Sequence, residues 1–568
     1  MAQMIAAPKW TLIPESDPHF QASLAQQLVL LGVSVHPLVL KHLASLGLSV
    51  PETIRFLEPK KEHCHSPWLL KGIQEAVELL EDAVVRGRRI TVVGDYDVDG
   101  VGATQIAYKA LKRLGANADY YIPHRKHEGY GIRSSVVERL RDRGTEVILT
   151  VDNGIAAANA IALAKSYGMT VILTDHHTPP EALPAADVIV NPHQPGCPYP
   201  FKGICGGVVA YKLVQALFEY MGLDPEEVEE FDETAALCTV ADVMPLLDEN
   251  RVFVVEGLKR MRENPSLGVA ALLKCLGIDK RRVNEGDIGF YLAPCLNAPG
   301  RLDSAETALQ LLLAETPLEA AVLANTCVAY NTQRQELVER ALEEAQPLIR
   351  PQDGIQVLLL DAEEGIAGVI AGQLKEALNA PAIVFTEAES SAGRKVLKGS
   401  GRSIPGFSLF DCLLDIYTRH PEWFVTWGGH AGAAGVSIYA EHLDAFREAV
   451  NRVFAAADIP EQAVFYLGEV EEHELDVLSR QFECLAPFGH GHPRPHLLLR
   501  AVVMDKQVFG QKQNHLRLYT EGGSELTMFR GAGVMVELGK PAEVFLTVGR
   551  THFAGRDRLE LLVSDIFQ

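Results

Sequence analysis

Three short apolar runs in the first third of the chain end in groups that could do chemistry. Ile90–Gly94 (ITVVG) leads into Asp95-Tyr96-Asp97-Val98-Asp99-Gly100. Val147–Val151 (VILTV) leads into Asp152-Asn153-Gly154, and Thr170–Thr174 (TVILT) into Asp175-His176-His177. One aspartate after a strand is ordinarily a helix cap, and a lone D-H-H is ordinarily loop polarity. Three together carry more, because the carboxyl ends of strands in a parallel α/β sheet share one edge, where ligands bind. Asp95 and Asp175, 80 positions apart, would then meet in space. Read as an extended segment, D-Y-D-V-D points all three carboxylates to one side.

So many carboxylates in one cleft repel one another until protons or cations relieve them. Oxygen ligands with one or two imidazoles suit Mn²⁺ or Mg²⁺ better than thiolate-bound zinc. Two such ions, roughly 3.5–4 Å apart, stabilise in-line displacement at phosphorus. The chemistry predicted is phosphoester hydrolysis. The D-x-D-x-D-G spacing also opens a calcium loop of the EF-hand type, but that loop needs Glu at its twelfth position. Counted from Asp95, the twelfth residue is Ile106.

The elements that must hold these groups follow from periodicity. Ile73, Val77, Leu80 and Val84 share one face of a helix over Ile73–Val85, and Ile106, Ala110 and Leu114 one over Val101–Leu114. An Ala-rich helix at Ala156–Tyr167 separates the second and third strands. Such alternation with short links implies a parallel sheet covered on both faces. Residues 1–45 read as a polar entry segment and a short apolar helix around Leu28–Leu46. After a loop rich in Pro, Gly and His at Asn191–Gly207, the pattern is mainly helical to Leu313. Glu319–Ile349 has no Gly and no Pro before Pro347, and reads as one long helix joining two lobes. A second α/β segment, with strands at Gln356–Leu360 and Ala382–Phe385, runs to about Ala457. From His496, five short alternating stretches predict a small barrel. The expected organisation is a segment 1–45, a catalytic parallel α/β domain 46–318, a connecting helix 319–349, a second α/β domain 350–462 and a barrel domain 463–568. The active site is expected in the cleft between the two α/β lobes.

Composition sets further bounds. The 568 residues are too many for one core. Hydrophobic residues at 47% and charged residues at 22% are ordinary for a folded soluble chain. The first residues lack a basic stretch before an apolar core, so no signal peptide is expected, and no apolar run approaches the roughly 18 residues that span a bilayer. Nine scattered cysteines with no C-x-x-C pair suit a reducing cytosol. The net charge of −22 is unhelpful for binding a polyanion, yet charge is local: Arg494–Gln568 carries 10 Lys/Arg against 8 Asp/Glu. Bound cations would offset part of the remaining acidity.

These residues resemble the DHH phosphoesterase superfamily motif by motif. GDYDVDGVGAT is similar to its first motif, TVDNGI to the second, TDHHTPP to the third and CTVADVMPL (Cys238–Leu246) to the fourth. TWGGHAGAAG (Thr426–Gly435) resembles the glycine-rich motif of the DHHA1-type substrate-binding domain. YIPHRKHEGYGI, CLNAPGRL, GSGRSIPGFSLFDCL and an OB-type barrel are similar to the branch that degrades single-stranded DNA. Pro299 departs from that pattern, standing where a small residue is usual, in the loop expected between Asn297 and Arg301.

The resemblance implies that Asp95, Asp97 and Asp152 hold one ion, and Asp99, Asp152, His176 and Asp242 the other, with Mn²⁺ or Mg²⁺ as cofactor. Asp175 would orient the site. His177 would contact the scissile phosphate or shuttle a proton, so Asp97, Asp99, Asp152, His176 and His177 are the catalytic candidates. Arg125, Arg301, Arg334 and Arg402 stand in polar or Gly-rich surroundings where a forked guanidinium could reach phosphate; each alone could equally be a surface ion pair. Ser400-Gly401-Arg402 and Gly428-Gly429-His430 offer backbone amides to the same anion or form ordinary tight turns. His63-Cys64-His65 reads as solvated loop, His193 and Cys197 pair with nothing, and Arg394, Lys395 and Lys398 read as a solvated face, with contact to a DNA backbone as the second reading. The activity implied is 5′→3′ exonuclease action on single-stranded DNA in repair and recombination, by a cytoplasmic monomer with a single-stranded-DNA-binding protein and a recombination helicase as partners. Its rivals are a phosphodiesterase for nanoRNA or cyclic dinucleotides, which would lack the barrel, and a non-catalytic DNA-binding scaffold, which would lack the carboxylates.

Overall fold

The computed structural model describes residues 9–568 apart from 16, 31–33, 126, 127, 130, 392, 462, 554 and 555. Two compact units emerge: one holds His65–Met244 and Phe253–Gln462, the other Pro8–Cys64, Pro245–Val252 and Ala463–Gln568.

The first unit is built on a five-stranded parallel sheet, in the order Ala118–Tyr121, Ile90–Val93, Val147–Thr150, Thr170–Thr174, Val188–Val190. The three strands expected to carry the chemistry are its centre. Every residue of Ile90–Val93 and Val147–Thr150 is buried, as strands covered on both faces require. Register levels their ends: Val93 lies opposite Thr150, and Thr150 opposite Leu173. The outer strands escaped the sequence reading because three or four residues, one of them ADYY, leave little pattern.

The helix expected from Val101 begins at Val98, which corrects the extended reading of D-Y-D-V-D. Asp97 is its N-cap, accepting from the amides of Asp99 and Gly100 at 3.1 Å each, so capping chemistry outweighs the strand-like alternation. The long helix spans Pro317–Ala345. It starts two residues earlier than expected, because the Thr316 side chain caps it and Pro317 fits a first-turn position. Its companion sheet runs Phe424–His430, Ala433–Tyr439, Arg394–Arg402, Ala382–Ser391, Gln356–Leu359, parallel only at the last pair.

In the second unit, His496–Phe509, His515–Thr520, Glu525–Met528, Arg556–Phe567 and Pro541–Phe553 close into a five-stranded barrel, since the first strand also pairs with the last. Closure removes exposed edges. The single helix expected around Leu28–Leu46 is instead two, Pro18–Leu30 and Pro37–Ser45, the second entered through Pro37 with His36 as its cap. Leu24, Leu28, Val39 and Leu43 share one core with barrel residues such as Leu497, Leu516 and Val544.

Candidate active site

The level strand ends bring the acidic groups together, and glycines let them approach. Asp99 Oδ2 and Oδ1 accept from the amides of Gly206 and Gly207 at 2.7 and 2.8 Å, at the start of the helix Gly206–Tyr220. A Cβ on Gly206 would lie 2.5 Å from that of Asp152, and one on Gly207 2.6 Å from Cys238 Sγ. Sequence reasoning placed these glycines in a loop; their pairing at a helix start was the available signal. Asn153 ties the second strand end down, donating to Val93 and Val151 carbonyls at 2.9 Å and accepting from the Ile132 amide. Asp152 is held at φ +60°, a left-handed conformation uncommon outside glycine and best tolerated by Asn and Asp.

Three sets of side chains come within ion-holding reach, their ligand atoms within 4.8 Å of one another: Asp95, Asp97 and Asp152; Asp99, His176 and Asp242; and Asp152, His176 and His177. His176 Nε2 lies 3.1 Å from Asp152 Oδ1 and 3.6 Å from oxygens of Asp99 and Asp242. Asp175 is different. Its oxygens accept from the amides of Ile155, His176 and His177 and from His177 Nδ1 at 2.7 Å. Burial would raise its pKa, but the His177 hydrogen bond and charge and these amides outweigh burial and hold it below the usual range. His63, Cys64, His65, His193 and Cys197 belong to none of the three sets.

The carboxylates need protons or cations to offset them. Burial first, and then neighbouring carboxylates, push Asp95 and Asp152 well above the carboxylate range and Asp242 up to about 8. Burial lowers His176, which keeps its imidazole neutral. Asp95 Oδ1, Asp152 Oδ1 and Asp242 Oδ2 are buried and accept no well-formed hydrogen bond, although His176 Nε2 stands 3.1 Å from the Asp152 oxygen. Buried polar atoms are otherwise nearly always satisfied. This donor set of oxygens and one or two imidazoles fits hard divalent cations.

A cationic cluster faces the acids. Burial, then Arg125, Arg334 and Arg402, lower Arg301 to about 10, and Asp97 acts on it in the opposite sense. Arg402 is lowered by burial and by Arg125. Arg125 lies 4.8 Å from the Tyr96 ring; Lys126, His127 and Tyr130 of the same motif lie outside the described residues. The loop expected around Pro299 is a helix, Ala293–Leu302. It seats Asn297 Oδ1 3.1 Å from the Val98 amide and puts Arg301 one turn on. Gly300 has no room for a Cβ, which would meet Tyr96 O at 2.5 Å. Gly365 and Gly368, unnoticed in the sequence, let the helix Glu364–Leu378 pack on Arg301 and on Arg402 with Ser400. Gly429 and His430 line a cavity of about 1180 Å³ with Gly131, Gly154, Asp175 and His177. Arg394 and Lys398 pair with Glu441 and Glu364.

Residues 89–241 match the DHH family N-terminal domain, 352–456 the DHHA1 domain and 468–565 the RecJ OB domain. The chain is 34% identical over 477 residues to the single-stranded-DNA-specific exonuclease RecJ of Haemophilus influenzae, covering 80% of this chain and 82% of that one. The chain belongs to the RecJ family. It is 36% identical over 526 residues to the Bacillus subtilis RecJ, covering 91% of this chain but spanning 64% of that relative's length. Among solved structures, RecJ from Thermus thermophilus in complex with Mn²⁺ is similar at a TM-score of 0.84 and 28% identity, over 99% of this chain and 79% of that one. The same protein in complex with Mg²⁺ matches at a TM-score of 0.79 and 27% identity, over 99% of this chain and 78% of that one. These are the cations that the oxygen-rich donor set favours.

Proposed function

We propose that this chain is a metal-dependent exonuclease that removes 5′-mononucleotides from single-stranded DNA in the 5′→3′ direction, in DNA repair and recombination. The observation that carries this reading is Asp152: strained, buried, with an unsatisfied oxygen, and common to two of the three ligand sets. Asp95, Asp97 and Asp152 would hold one ion, and Asp99, Asp152, His176 and Asp242 the other. When bound, Mn²⁺ or Mg²⁺ supplies Lewis-acid polarisation of the phosphoryl oxygens and neutralises the carboxylates.

The chain's own groups do the rest. Asp175 accepts from His177 Nδ1, which fixes the ring and leaves Nε2 to meet the scissile phosphate. Burial opposes protonation of His177, but the hydrogen bond to Asp175 and its charge outweigh it and raise the imidazole to about 9. With a proton on Nε2 it can act as the general acid to the departing 3′-oxygen. Arg125, Arg301, Arg334 and Arg402, with Ser400 and His430, bind the phosphates of the strand end. Their forked guanidiniums suit that geometry. The barrel grips the strand beyond the site by stacking and charge.

The reading includes a cytoplasmic monomer that works with a single-stranded-DNA-binding protein and a recombination helicase. No helix among the described residues is long and apolar enough to cross a membrane. The test is digestion of oligonucleotides labelled at the 5′ or the 3′ end, with Mn²⁺ or Mg²⁺ present. Early release of the 5′ label as mononucleotide is expected. Release of the 3′ label first, or no metal-dependent digestion of single strands, overturns the proposal.

A further inference from the structure

Phe290 and Tyr291 are neighbours in sequence and are 80% and 54% exposed. Large rings are costly to leave in water, since each can bury roughly 150–250 Å². They sit on a π-turn, Ile288–Leu292, whose end residues Ile288 and Leu292 are buried. A reciprocal cap between Asn284 and Asp287 fixes its entry at 3.0 and 3.1 Å. Single π-turns inside helices are rare and concentrate at functional sites. The exposed rings therefore belong to a built feature, not to a frayed end.

Its location ties it to the site. A Cβ on Gly289 would lie 3.7 Å from Val240, two residues before Asp242. The turn continues directly into the helix that carries Asn297 and Arg301. Val243, beside Asp242, is 64% exposed as well. Just upstream, Lys280-Arg281-Arg282 form a short 3-10 turn, and Arg281 is 79% exposed, in an ion pair with its own neighbour Asp279. Exposed rings on the turn that leads into Arg301, with Lys280, Arg281 and Arg282 eight to eleven residues upstream in the chain, match the chemistry of single strands, whose bases stack on aromatic faces while the backbone seeks positive charge.

We propose that Phe290 and Tyr291 form a stacking platform for the bases of the single strand that lie just outside the catalytic centre. The inference rests on the exonuclease reading above and adds the strand's path to it. The experiment uses the full chain with Phe290→Ala and Tyr291→Ala together, against an oligonucleotide of about 20 nucleotides and against a dinucleotide. KM on the long strand is expected to rise about tenfold to hundredfold, as loss of one or two stacked bases implies. Turnover of the dinucleotide should stay within about twofold. A 2-aminopurine placed near the 5′ end should be quenched by the wild-type chain and not by the variant. That quenching is read in Ca²⁺, so that it does not depend on turnover. Phe290→Trp with Tyr291→Trp should restore both readouts. Unchanged KM with quenching intact overturns the platform. So does an equal loss on both substrates, which would make the turn a prop for Asn297 and Arg301. If the wild-type chain digests no DNA, the exonuclease reading fails separately, and the quenching in Ca²⁺ still decides whether bases stack here.

Discussion

Each unit buries a charged side chain, and the two are treated in opposite ways. In the barrel unit, Arg251 is 1% exposed and its guanidinium donates to the carbonyls of Phe56, Leu485, Ala486 and Pro487, at 2.7 to 3.0 Å, while lying 3.8 Å from the Phe56 ring. In the parallel-sheet unit, Asp152 is 3% exposed, strained, surrounded by like charge and left with an unsatisfied oxygen. A buried charge whose hydrogen bonds are complete belongs to the fold. One left incomplete stores an interaction for something that binds.

The largest effect is expected at Asp152→Asn, which keeps the shape and tolerates the left-handed backbone. Turnover should fall by about 10³-fold or more, roughly 4 kcal/mol in the barrier. Without metal the variant should melt no lower than wild type, and higher if carboxylate repulsion dominates. Undiminished turnover, or a clear loss of metal-free stability, would show that Asp152 is a structural charge after all.

Arg251→Met reverses the pattern. The stem is kept but four carbonyls lose their donor, which should cost the barrel unit about 3 kcal/mol or more. Hydrogen exchange in the strands of residues 496–567 should accelerate accordingly. Stability equal to wild type would place Arg251 among buried charges that an apolar side chain can replace.

The contrast also shows what was legible in the sequence. Asp95, Asp97, Asp99, Asp152, Asp175 and His176 announced themselves because strand ends are local features and their convergence follows from sheet topology. The barrel was legible through its alternation: in His515–Thr520 every second residue is buried. Arg251 gave no signal, since its partners lie about 195 and 235 positions away. Gly206, Gly365 and Gly368 were hidden for the same reason, because a glycine's need for close approach depends on a surface brought up from elsewhere in the chain. The break between Leu30 and Pro37 was missed because apolar spacing alone cannot tell two short helices from one. Pro299 misled, since proline reads as a loop signal and here sits inside a helix.

Arg301 extends the comparison to a cation. Where Arg251 has four acceptors, the bond found for Arg301 is a long one of 3.4 Å to the Gly365 carbonyl, and Arg125, Arg334 and Arg402 press on it. By the same logic it awaits an anion, which the exonuclease reading makes the 5′-phosphate. Arg301→Ala should reduce the preference for 5′-phosphorylated over 5′-hydroxyl strands by about tenfold to hundredfold, roughly 1.4–2.8 kcal/mol. An unchanged preference would move phosphate recognition to the other arginines.

The smallest effect is expected on the outer face of the barrel, where exposed rings rather than unsatisfied charges are on offer. Arg517 pairs with Glu525 at 2.9 Å and lies 4.7 Å from the Phe509 ring, His515 contacts both Phe509 and Phe529, and Phe529 is 58% exposed. Tyr519 shares the outward side of its strand with His515 and Arg517, so it is not a core residue. This row of rings and a cation is suited to bases and phosphates. Deleting residues from about 496 would test it badly, because Leu24, Leu28 and Val39 share the barrel's core and would be uncovered. Phe529→Ala with Arg517→Ala leaves that core intact. It should raise KM on a long oligonucleotide by about tenfold, or 1.4 kcal/mol. It should also reduce the slope of log affinity against log salt by about 0.7, the value for one lost phosphate contact on a single strand. Turnover of a dinucleotide should be unaffected, since every candidate metal ligand lies in the other unit. Full affinity in the double variant, with an unchanged salt slope, would leave the barrel as a satisfied, purely structural body and assign strand capture to the sheet unit alone.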